Sequence, residues 1–230
     1  MDFLKSGSRP HSIFAVNPEK NFLASKDSVL SETLKNADLL IPDGIGIVLA
    51  ARILYGIKIE RIPGVEFMED LCALAAKEGY RAFVYGGRDE VNRAAVQILE
   101  GRYSGLEIAG RSHGYVSEKE MPDLIKRIND SKAEVLFLAL GSPLQEKWFT
   151  AYNHLLKNVK ICQGIGGTLD TIAGNVKRAP VIWRKCGAEW LYRLLAEPTR
   201  IKRQKVLPLF AFMVLLGKFK NLLKGSQKFQ

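Results

Sequence analysis

Cysteine and histidine are scarce in this chain of 230 residues, with three of each. Cys72, Cys162 and Cys186 lack Cys-x-x-Cys spacing, and the histidines are scattered, so no zinc-binding pattern is present. We therefore expect buried, reduced thiols in a cytosolic protein. The histidines are expected to be structural or to face solvent.

Several motifs of nucleotide-dependent enzymes are also missing. The chain has no G-x-x-x-x-G-K-[ST] loop, which argues against a P-loop enzyme, and no Asp-x-Asp pair, the usual metal-binding motif of nucleotide-sugar enzymes. The nearest approach to a dinucleotide fingerprint, GIGGTLD at 164–170, has Leu169 in its sixth position and follows the last predicted strand. An NAD-dependent oxidoreductase is therefore a weak alternative.

No apolar run is long enough to cross a membrane. The longest uncharged run, 206–217, is well short of the roughly 20 residues that a spanning helix needs. Residues 1–11 are polar and contain no apolar core of a signal peptide. We therefore expect neither a transmembrane protein nor a secreted one.

Acidic residues are nearly absent from the end of the chain. Residues 177–230 hold 13 Lys or Arg and 2 Asp or Glu, whereas the rest holds 21 and 22. We predict a catalytic core at 1–176 and a basic helical appendage at 177–230. Its charge favours a polyanionic partner.

The apolar run 206–217 lies between basic clusters, which favours a helix in the interface of an anionic membrane. A helix docked on the core or an oligomer interface is the alternative. A nucleic-acid module is disfavoured because we expect no exposed aromatic residues between the basic ones in an RNA-binding pattern.

Short apolar runs alternate with amphipathic stretches along the chain, which predicts an α/β fold with a mostly parallel sheet and helices on both faces. Strands are predicted at 12–16, 38–41, 81–85, 106–109, 134–140 and 160–163. Helices are predicted at 18–36, 45–55, 63–78, 89–103, 117–130 and 143–156, and throughout the chain after Gly174.

Glycines and polar residues follow the predicted strands, and ligands of open α/β sheets bind at the carboxyl ends of strands. Glycines let backbone N–H groups approach a ligand closely, so the pattern favours a nucleotide-like site, although tight turns alone would also explain each cluster. The residues concerned are Asn17, Asp43, Gly44, Gly86, Gly87, Gly141, Ser142, Gln145, Gly164, Gly166 and Gly167.

An ordered set of motifs resembles the WecG/TagA/CpsF glycosyltransferase family. The motifs are PDGIG at 42–46, RIPG at 61–64, GSPLQEKW at 141–148, GIGGTLD at 164–170, KRAP at 177–180 and EWLYRL at 189–194. Each motif is weak alone, but the ordered set is specific, and the resemblance runs from about residue 12 to about residue 216.

The resemblance implies an inverting transferase with a Rossmann-like core and a helical C-terminal appendage that meets the inner face of the cell membrane. It would move N-acetylmannosamine, or its uronic acid, from a UDP-sugar to N-acetylglucosamine on undecaprenyl diphosphate, for teichoic acid or another surface polysaccharide. No metal or other cofactor is expected. One alternative is a family member that transfers another hexose, such as glucose, from its UDP derivative to a lipid-linked oligosaccharide. The other is a membrane-bound, nucleotide-binding scaffold without catalytic activity. The sequence does not decide whether the protein forms a homo-oligomer.

The resemblance also assigns residues. Asp43 matches the proposed catalytic base, with N-capping of the next helix as its alternative role. Arg61 and Gln145 match positions near the reacting sugars, with a salt bridge and a loop hydrogen bond as alternatives. Asn17 matches a pocket residue, and we group Asp170 with the glycines as substrate-binding.

Three arginines of the appendage, Arg193, Arg200 and Arg203, match arginines that the family is thought to bring over the leaving group. Without a metal, arginines are the natural partners of a departing diphosphate. We expect docking at a membrane to close the appendage over the site.

The chain departs from the family pattern at two places. The sequence Ala15-Val16-Asn17 stands where relatives often have Thr-Pro-Asn. The strand and helix that many members carry before the position of Ser12 are not seen, so we expect an exposed sheet edge.

Overall fold

The computed structural model describes residues 2–5, 9–196 and 201–226, without the side chains of 2, 5, 185, 202, 203 and 221–226. The chain divides into two compact units, each made of segments that are not contiguous. The sheet unit comprises Met1–Ala15, Val29–Leu40 and Gly64–Arg178. The helical unit comprises Val16–Ser28, Ile41–Pro63 and Ala179–Gln230, so it takes in two segments that precede the basic appendage. A boundary between contiguous domains after residue 176 stays a prediction.

One parallel sheet contains all six predicted strands. They are β1 (His11–Val16), β2 (Leu39–Pro42), β3 (Arg81–Gly86), β4 (Glu107–Ser112), β5 (Val135–Ala139) and β6 (Ile161–Gly164). Their order in the sheet is β2-β1-β6-β5-β3-β4. In the centre, β6 pairs in parallel with β1 and with β5, and β3 pairs with β5 and β4. The predicted α/β class is confirmed.

The helices follow the strands as predicted, with two exceptions. They are α1 (Asp2–Lys5), α2 (Pro18–Ala24), α3 (Ser28–Lys35), α4 (Ile45–Tyr55), α5 (Gly64–Glu78), α6 (Asp89–Arg102), α7 (Met121–Asp130), α8 (Leu144–Tyr152), α9 (Thr168–Ile172), α10 (Val181–Lys185), α11 (Glu189–Ala196), α12 (Ile201–Gln204) and α13 (Val206–Ser226). A short 3₁₀ turn precedes α7, and Ser117 and Glu120 form a capping box there.

The helix predicted throughout the chain after Gly174 is wrong for 175–180, which lead into Pro180, and for 186–188, where Gly187 has a φ of 70°. The single helix predicted at 18–36 is also wrong, because the chain forms α2 and α3 instead. The break follows Ala24, where the Ser25 hydroxyl donates to the carbonyl oxygen of Phe22 at 2.7 Å. Serine and aspartate compete with the helical backbone for hydrogen bonds, and Ser25-Lys26-Asp27 supplies two of them in three positions.

The core of the sheet unit lies along the central strands. Every residue of β5 is buried, and Phe14 of β1 meets Phe149 of α8 edge-on with ring centroids 5.9 Å apart. Strands covered by helices on both faces read as continuous apolar runs, and 135–139 is such a run. At the edge of the sheet, Leu39 and Leu40 of β2 are exposed.

Two of the three cysteines are buried as predicted, but the prediction is wrong for Cys186, which is exposed. Burial raises the pKa of Cys72 to about 12 and raises that of Cys162 well above its ordinary value. Both thiols are therefore protonated and unreactive at neutral pH.

A largely buried carboxylate, that of Asp38 just before β2, links the start of β2 to the start of β1. Asp38 accepts hydrogen bonds from Arg9 at 2.5 Å and 3.0 Å and from the backbone N–H of Ser12 at 2.9 Å, and the His11 ring lies 3.1 Å away. Burial alone would raise the pKa of Asp38, but the bonds from Arg9, Ser12 and His11 outweigh it and hold the pKa well below its usual range. This aspartate stabilises the folded sheet as an anion.

Replacing Asp38 by asparagine is expected to lower the free energy of unfolding by about 2 kcal/mol at neutral pH. Because the pKa is depressed by folding, this contribution is complete above the unfolded-state pKa of about 3.9 and is lost as pH falls towards the folded-state value. Urea unfolding of both proteins at neutral pH and near pH 3 measures it. The control is Asp123→Asn, at an exposed position of α7. Equal stabilities of wild type and Asp38→Asn at neutral pH would show that the network contributes nothing.

The helical unit is built around α13. Small residues let its helices approach closely: a Cβ at Gly217 of α13 would lie 3.0 Å from Leu54 of α4. At the other end of α4, Gly46 leaves room for the ring of Pro18, where α2 begins. Val214 is buried, whereas most of α13 between Pro208 and Lys220 is exposed. One face of α13 therefore packs inside its unit while another stays open.

Candidate functional site

In the sheet unit, the predicted glycines differ in their reasons for being glycine, and two groups stand out. At Gly86 a Cβ would collide with the backbone of Ala139, and a Cβ at Gly114 would lie 3.1 Å from Gly86 and Gly87. Close approach of β3 and β5 therefore accounts for the glycine at 86. Its predicted contact with substrate stays a prediction.

Gly141, Gly166 and Gly167 form the second group, because a Cβ at each would meet nothing within 4 Å. Gly141 and Gly166 have positive φ angles, which explains their identity, but Gly167 has an ordinary φ of −85°. Neither packing nor backbone conformation requires glycine at 167. Among the predicted loop glycines it is the clearest candidate for an approach of backbone to ligand.

This difference predicts the effect of adding single methyl groups. Gly167→Ala should leave the free energy of unfolding unchanged and raise by about tenfold the KM for the nucleotide-linked substrate that the sequence predicts, because the methyl group occupies the open space over the loop. Gly86→Ala should fail to fold stably. The matched control is Gly101→Ala in α6, also with open space around it, which should gain up to about 1 kcal/mol of stability and keep normal kinetics. Identical kinetics for Gly167→Ala and Gly101→Ala would refute a ligand contact at Gly167.

Gln145, predicted to act in catalysis, is buried at 2% exposure and supports the loop that carries these glycines. Its side-chain carbonyl accepts the backbone N–H of Gly166 at 2.9 Å, and its amide donates to Glu146 at 3.0 Å. A Cβ at Gly164 would lie 2.5 Å from the same amide nitrogen. The Gln145 side chain therefore supports the loop, and the predicted alternative of a loop hydrogen bond is present. Its role in catalysis stays a prediction.

Sequence reasoning missed two residues at this end of the sheet unit. Asn92 is fully buried in α6, and its amide donates to the carbonyl oxygens of Gly86 at 2.8 Å and Ser112 at 3.1 Å, which ties the ends of β3 and β4 together. Arg88 lies 3.8 Å from the predicted substrate-binding residue Asp170. Asn92 could have been identified from the sequence, because it is a polar residue at a position where α6 is otherwise apolar. Only the position of Arg88 directly after Gly86-Gly87 could have indicated a functional role for it.

In the helical unit, the first predicted residue is Asn17. Its side chain accepts the backbone N–H of Lys20 at 2.8 Å, so Asn17 caps the N-terminus of α2. Whether it also contacts substrate stays a prediction.

Asp43 and Gly44 stand between β2 and α4. The backbone N–H of Asp43 donates to the carbonyl oxygen of Val16 at 2.9 Å, which brings it beside the start of α2. The N-cap position of α4 belongs to Gly44, with a φ of 101°, and not to Asp43. The Asp43 side chain is partly exposed. A partly exposed carboxylate at the end of a strand is suitably placed to accept a proton from a substrate.

Arg61 is held close to this segment. The backbone N–H of Ile62 donates to the carbonyl oxygen of Pro42 at 2.9 Å, and the Arg61 guanidinium lies 3.3 Å from Glu189 at the start of α11. The other oxygen of Glu189 accepts from Arg193, one turn further along α11, at 2.6 Å. The predicted alternative of a salt bridge for Arg61 is thus present, although its partner is part of the EWLYRL motif.

Four segments far apart in sequence therefore meet within the helical unit. A further contact supports this, because a Cβ at Gly187 would lie 3.1 Å from Ile45, the first residue of α4. The predicted residues brought together are Asn17, Asp43, Gly44, Arg61 and Arg193. Arg200 lies outside the described residues, and so does the side chain of Arg203.

Comparison with known proteins gives concordant matches. The sequence profile described as "Glycosyl transferase WecG/TagA/CpsF family" matches residues 1–224. A protein of Bacillus subtilis (strain 168) is 38% identical over 204 residues, which cover 88% of this chain and 78% of the relative. A protein of Staphylococcus aureus (strain MRSA252) is 34% identical over 208 residues, covering 90% and 81%. Both relatives are named N-acetylglucosaminyldiphosphoundecaprenol N-acetyl-beta-D-mannosaminyltransferase.

Proposed function

This chain belongs to the WecG/TagA/CpsF glycosyl transferase family, and from that membership we propose that it transfers N-acetylmannosamine from a UDP-sugar to undecaprenyl-diphosphate-linked N-acetylglucosamine. The two named relatives support the sugar and the acceptor. The single observation that carries the chemistry is that the segments bearing Asp43, Arg61 and Arg193 meet within the helical unit.

The proposed reaction is a single displacement. A hydroxyl oxygen of the acceptor attacks the anomeric carbon of the donor, and the bond from that carbon to the diphosphate oxygen breaks. The hydroxyl proton passes to the Asp43 carboxylate, and UDP leaves with the bonding electron pair. Because attack and departure take place on opposite faces of the carbon, the configuration at that carbon inverts.

Arginines supply the positive charge that the departing diphosphate needs. Arg61 and Arg193 are both partly buried, where electrostatic stabilisation is stronger than in open water. Guanidinium groups bind phosphate oxygens in pairs of parallel hydrogen bonds, so two of them suit a diphosphate.

No metal takes part in this proposal. The described residues include no group of three or more His, Cys, Asp or Glu side chains that could hold a metal ion. Metal independence stays a prediction, and transfer in the presence of EDTA checks it.

We propose further that the enzyme is peripheral on the inner face of the cell membrane, where a lipid-linked acceptor lies. Among the described residues, 15 of the 22 exposed large apolar side chains belong to the helical unit, the smaller of the two. Six of them lie on α13, and Lys205, Lys218 and Lys220 are exposed beside them. Apolar and basic side chains together favour an anionic interface. Within the described residues, no helix is long and apolar enough to cross a membrane.

A donor competition tests the proposed function. Wild-type enzyme is mixed with equal amounts of UDP-N-acetylmannosamine, its uronic acid and UDP-glucose, together with a short-chain lipid-diphosphate N-acetylglucosamine acceptor, and the products are identified by mass spectrometry. We expect the N-acetylmannosamine product to dominate. Preferential glucose transfer would replace the proposed donor with the alternative one, and the absence of any product would contradict the function.

A further inference from the structure

Glu189 lies between the two arginines of the helical unit. Its carboxylate is 13% exposed and uses both oxygens: Oε2 faces Arg61 at 3.3 Å, and Oε1 accepts from Arg193 at 2.6 Å. The two arginines come from different parts of the chain, one from the irregular segment before α5 and the other from α11. One carboxylate therefore sets the positions of both guanidinium groups.

The cluster holds more donors and more positive charge than its carboxylate can satisfy. Two guanidinium groups offer ten N–H donors, against about four acceptor positions on one carboxylate, and the three charges leave a net charge of about +1. Among the described residues, the Nε of Arg193 is buried without a hydrogen-bond partner. A bridge that served stability alone would need one arginine, because a second partly buried cation adds a desolvation cost. The surplus of donors indicates that an anion completes the cluster.

The cluster is also tied to the proposed base. Arg61 adjoins Ile62, whose backbone N–H donates to the carbonyl oxygen of Pro42 at 2.9 Å, and Pro42 precedes Asp43. A shift of Glu189 would therefore move the guanidinium groups relative to Asp43.

We propose that Glu189 is a positioning residue that holds Arg61 and Arg193 side by side as a receptor for diphosphate oxygens. This inference deepens the proposed function and rests on it. The same chemistry occurs in the nucleoside diphosphate of the donor and in the lipid diphosphate of the acceptor. In either case Glu189 acts through the arginines and does not touch the reacting atoms.

Glu189→Gln tests the inference, since it removes the charge but keeps the shape. Binding of UDP and of a short-chain lipid diphosphate is titrated separately by calorimetry, and kcat and each KM are measured. We expect about tenfold weaker binding of one diphosphate and at least a tenfold fall in kcat. Weaker UDP binding would assign the receptor to the donor, and weaker lipid-diphosphate binding would assign it to the acceptor. Unchanged or tighter binding of both, with normal kcat, would overturn the inference.

The matched control is Glu134→Gln, which breaks a partly buried bridge to Lys160 in the sheet unit. Both variants should lower the melting temperature by a similar amount, but only Glu189→Gln should change diphosphate binding. Glu189→Asp should recover part of the kcat, and it keeps the test open if Glu189→Gln does not fold. Because titrations need no turnover, they separate failure of this inference from failure of the proposed function. A wild type that binds diphosphate but transfers no sugar would refute only the latter.

Discussion

Asp43→Asn is expected to slow sugar transfer by about 10²–10⁴-fold while the enzyme still binds UDP as tightly as wild type. Asparagine matches aspartate in size but cannot accept the proton of the attacking hydroxyl. The Asp43 backbone bond to Val16 does not involve the side chain, so the position of the segment should be kept. Single-turnover transfer with saturating donor and acceptor measures the effect, and calorimetry with UDP measures binding.

The control for this experiment is Glu60→Gln, the same acid-to-amide change at an exposed position of the helical unit. It should transfer sugar at the wild-type rate. If Asp43→Asn keeps more than about a tenth of the wild-type rate, another group removes the proton.

Replacing Phe212, Leu215 and Phe219 together by serine is expected to weaken binding to anionic vesicles by at least about a hundredfold. The three side chains are 58%, 60% and 62% exposed on α13. Burying such a side chain in an apolar phase is worth about 1.5–3 kcal/mol, so the loss of three removes at least about 4.5 kcal/mol. A hundredfold change in affinity requires only about 2.7 kcal/mol. Because the three are exposed in the fold, their loss should leave the melting temperature nearly unchanged. Vesicle sedimentation over a series of lipid concentrations measures the affinity.

A matched triple variant tests whether vesicle binding depends on the exposed face of α13 or on any exposed apolar side chains. Val29, Ile98 and Tyr115 are exposed in the sheet unit, and their replacement by serine should not affect vesicle binding. The α13 variant should also lose transfer to acceptor in vesicles but retain transfer to a short-chain acceptor in detergent-free solution. Equal vesicle affinity of the two triple variants would exclude α13 as the lipid-binding face.

The fold could be predicted from the sequence wherever one local signal was strong. The bounds predicted for α4 match the structure, because Gly44 and Gly56 flank a continuous apolar run. The apolar run of β5 was equally clear. The prediction failed between α2 and α3, because the helical pattern of apolar residues continues across the break. The hydrogen bond from Ser25 to Phe22 that ends α2 is local and gives only a weak signal in the sequence.

The candidate site could be predicted less completely, because its arrangement depends on contacts between distant segments. The motifs named Arg61 and Gln145, but the pairing of Arg61 with Glu189 joins residues 128 positions apart and leaves no periodic signal. The burial of Gln145 beneath its glycine loop was likewise visible only in three dimensions. The discontinuous helical unit could not be predicted from composition, since 16–28 and 41–63 lack the basic bias of the C-terminal segment.

The most direct test of the central claim is the anomeric configuration of the product. Wild-type enzyme is supplied with UDP-N-acetylmannosamine, the lipid-linked N-acetylglucosamine acceptor and EDTA, and the new linkage is assigned by NMR. Direct displacement with Asp43 as base predicts a single product whose configuration is inverted relative to the donor. A product with retained configuration, or no product with this donor and acceptor, would contradict it.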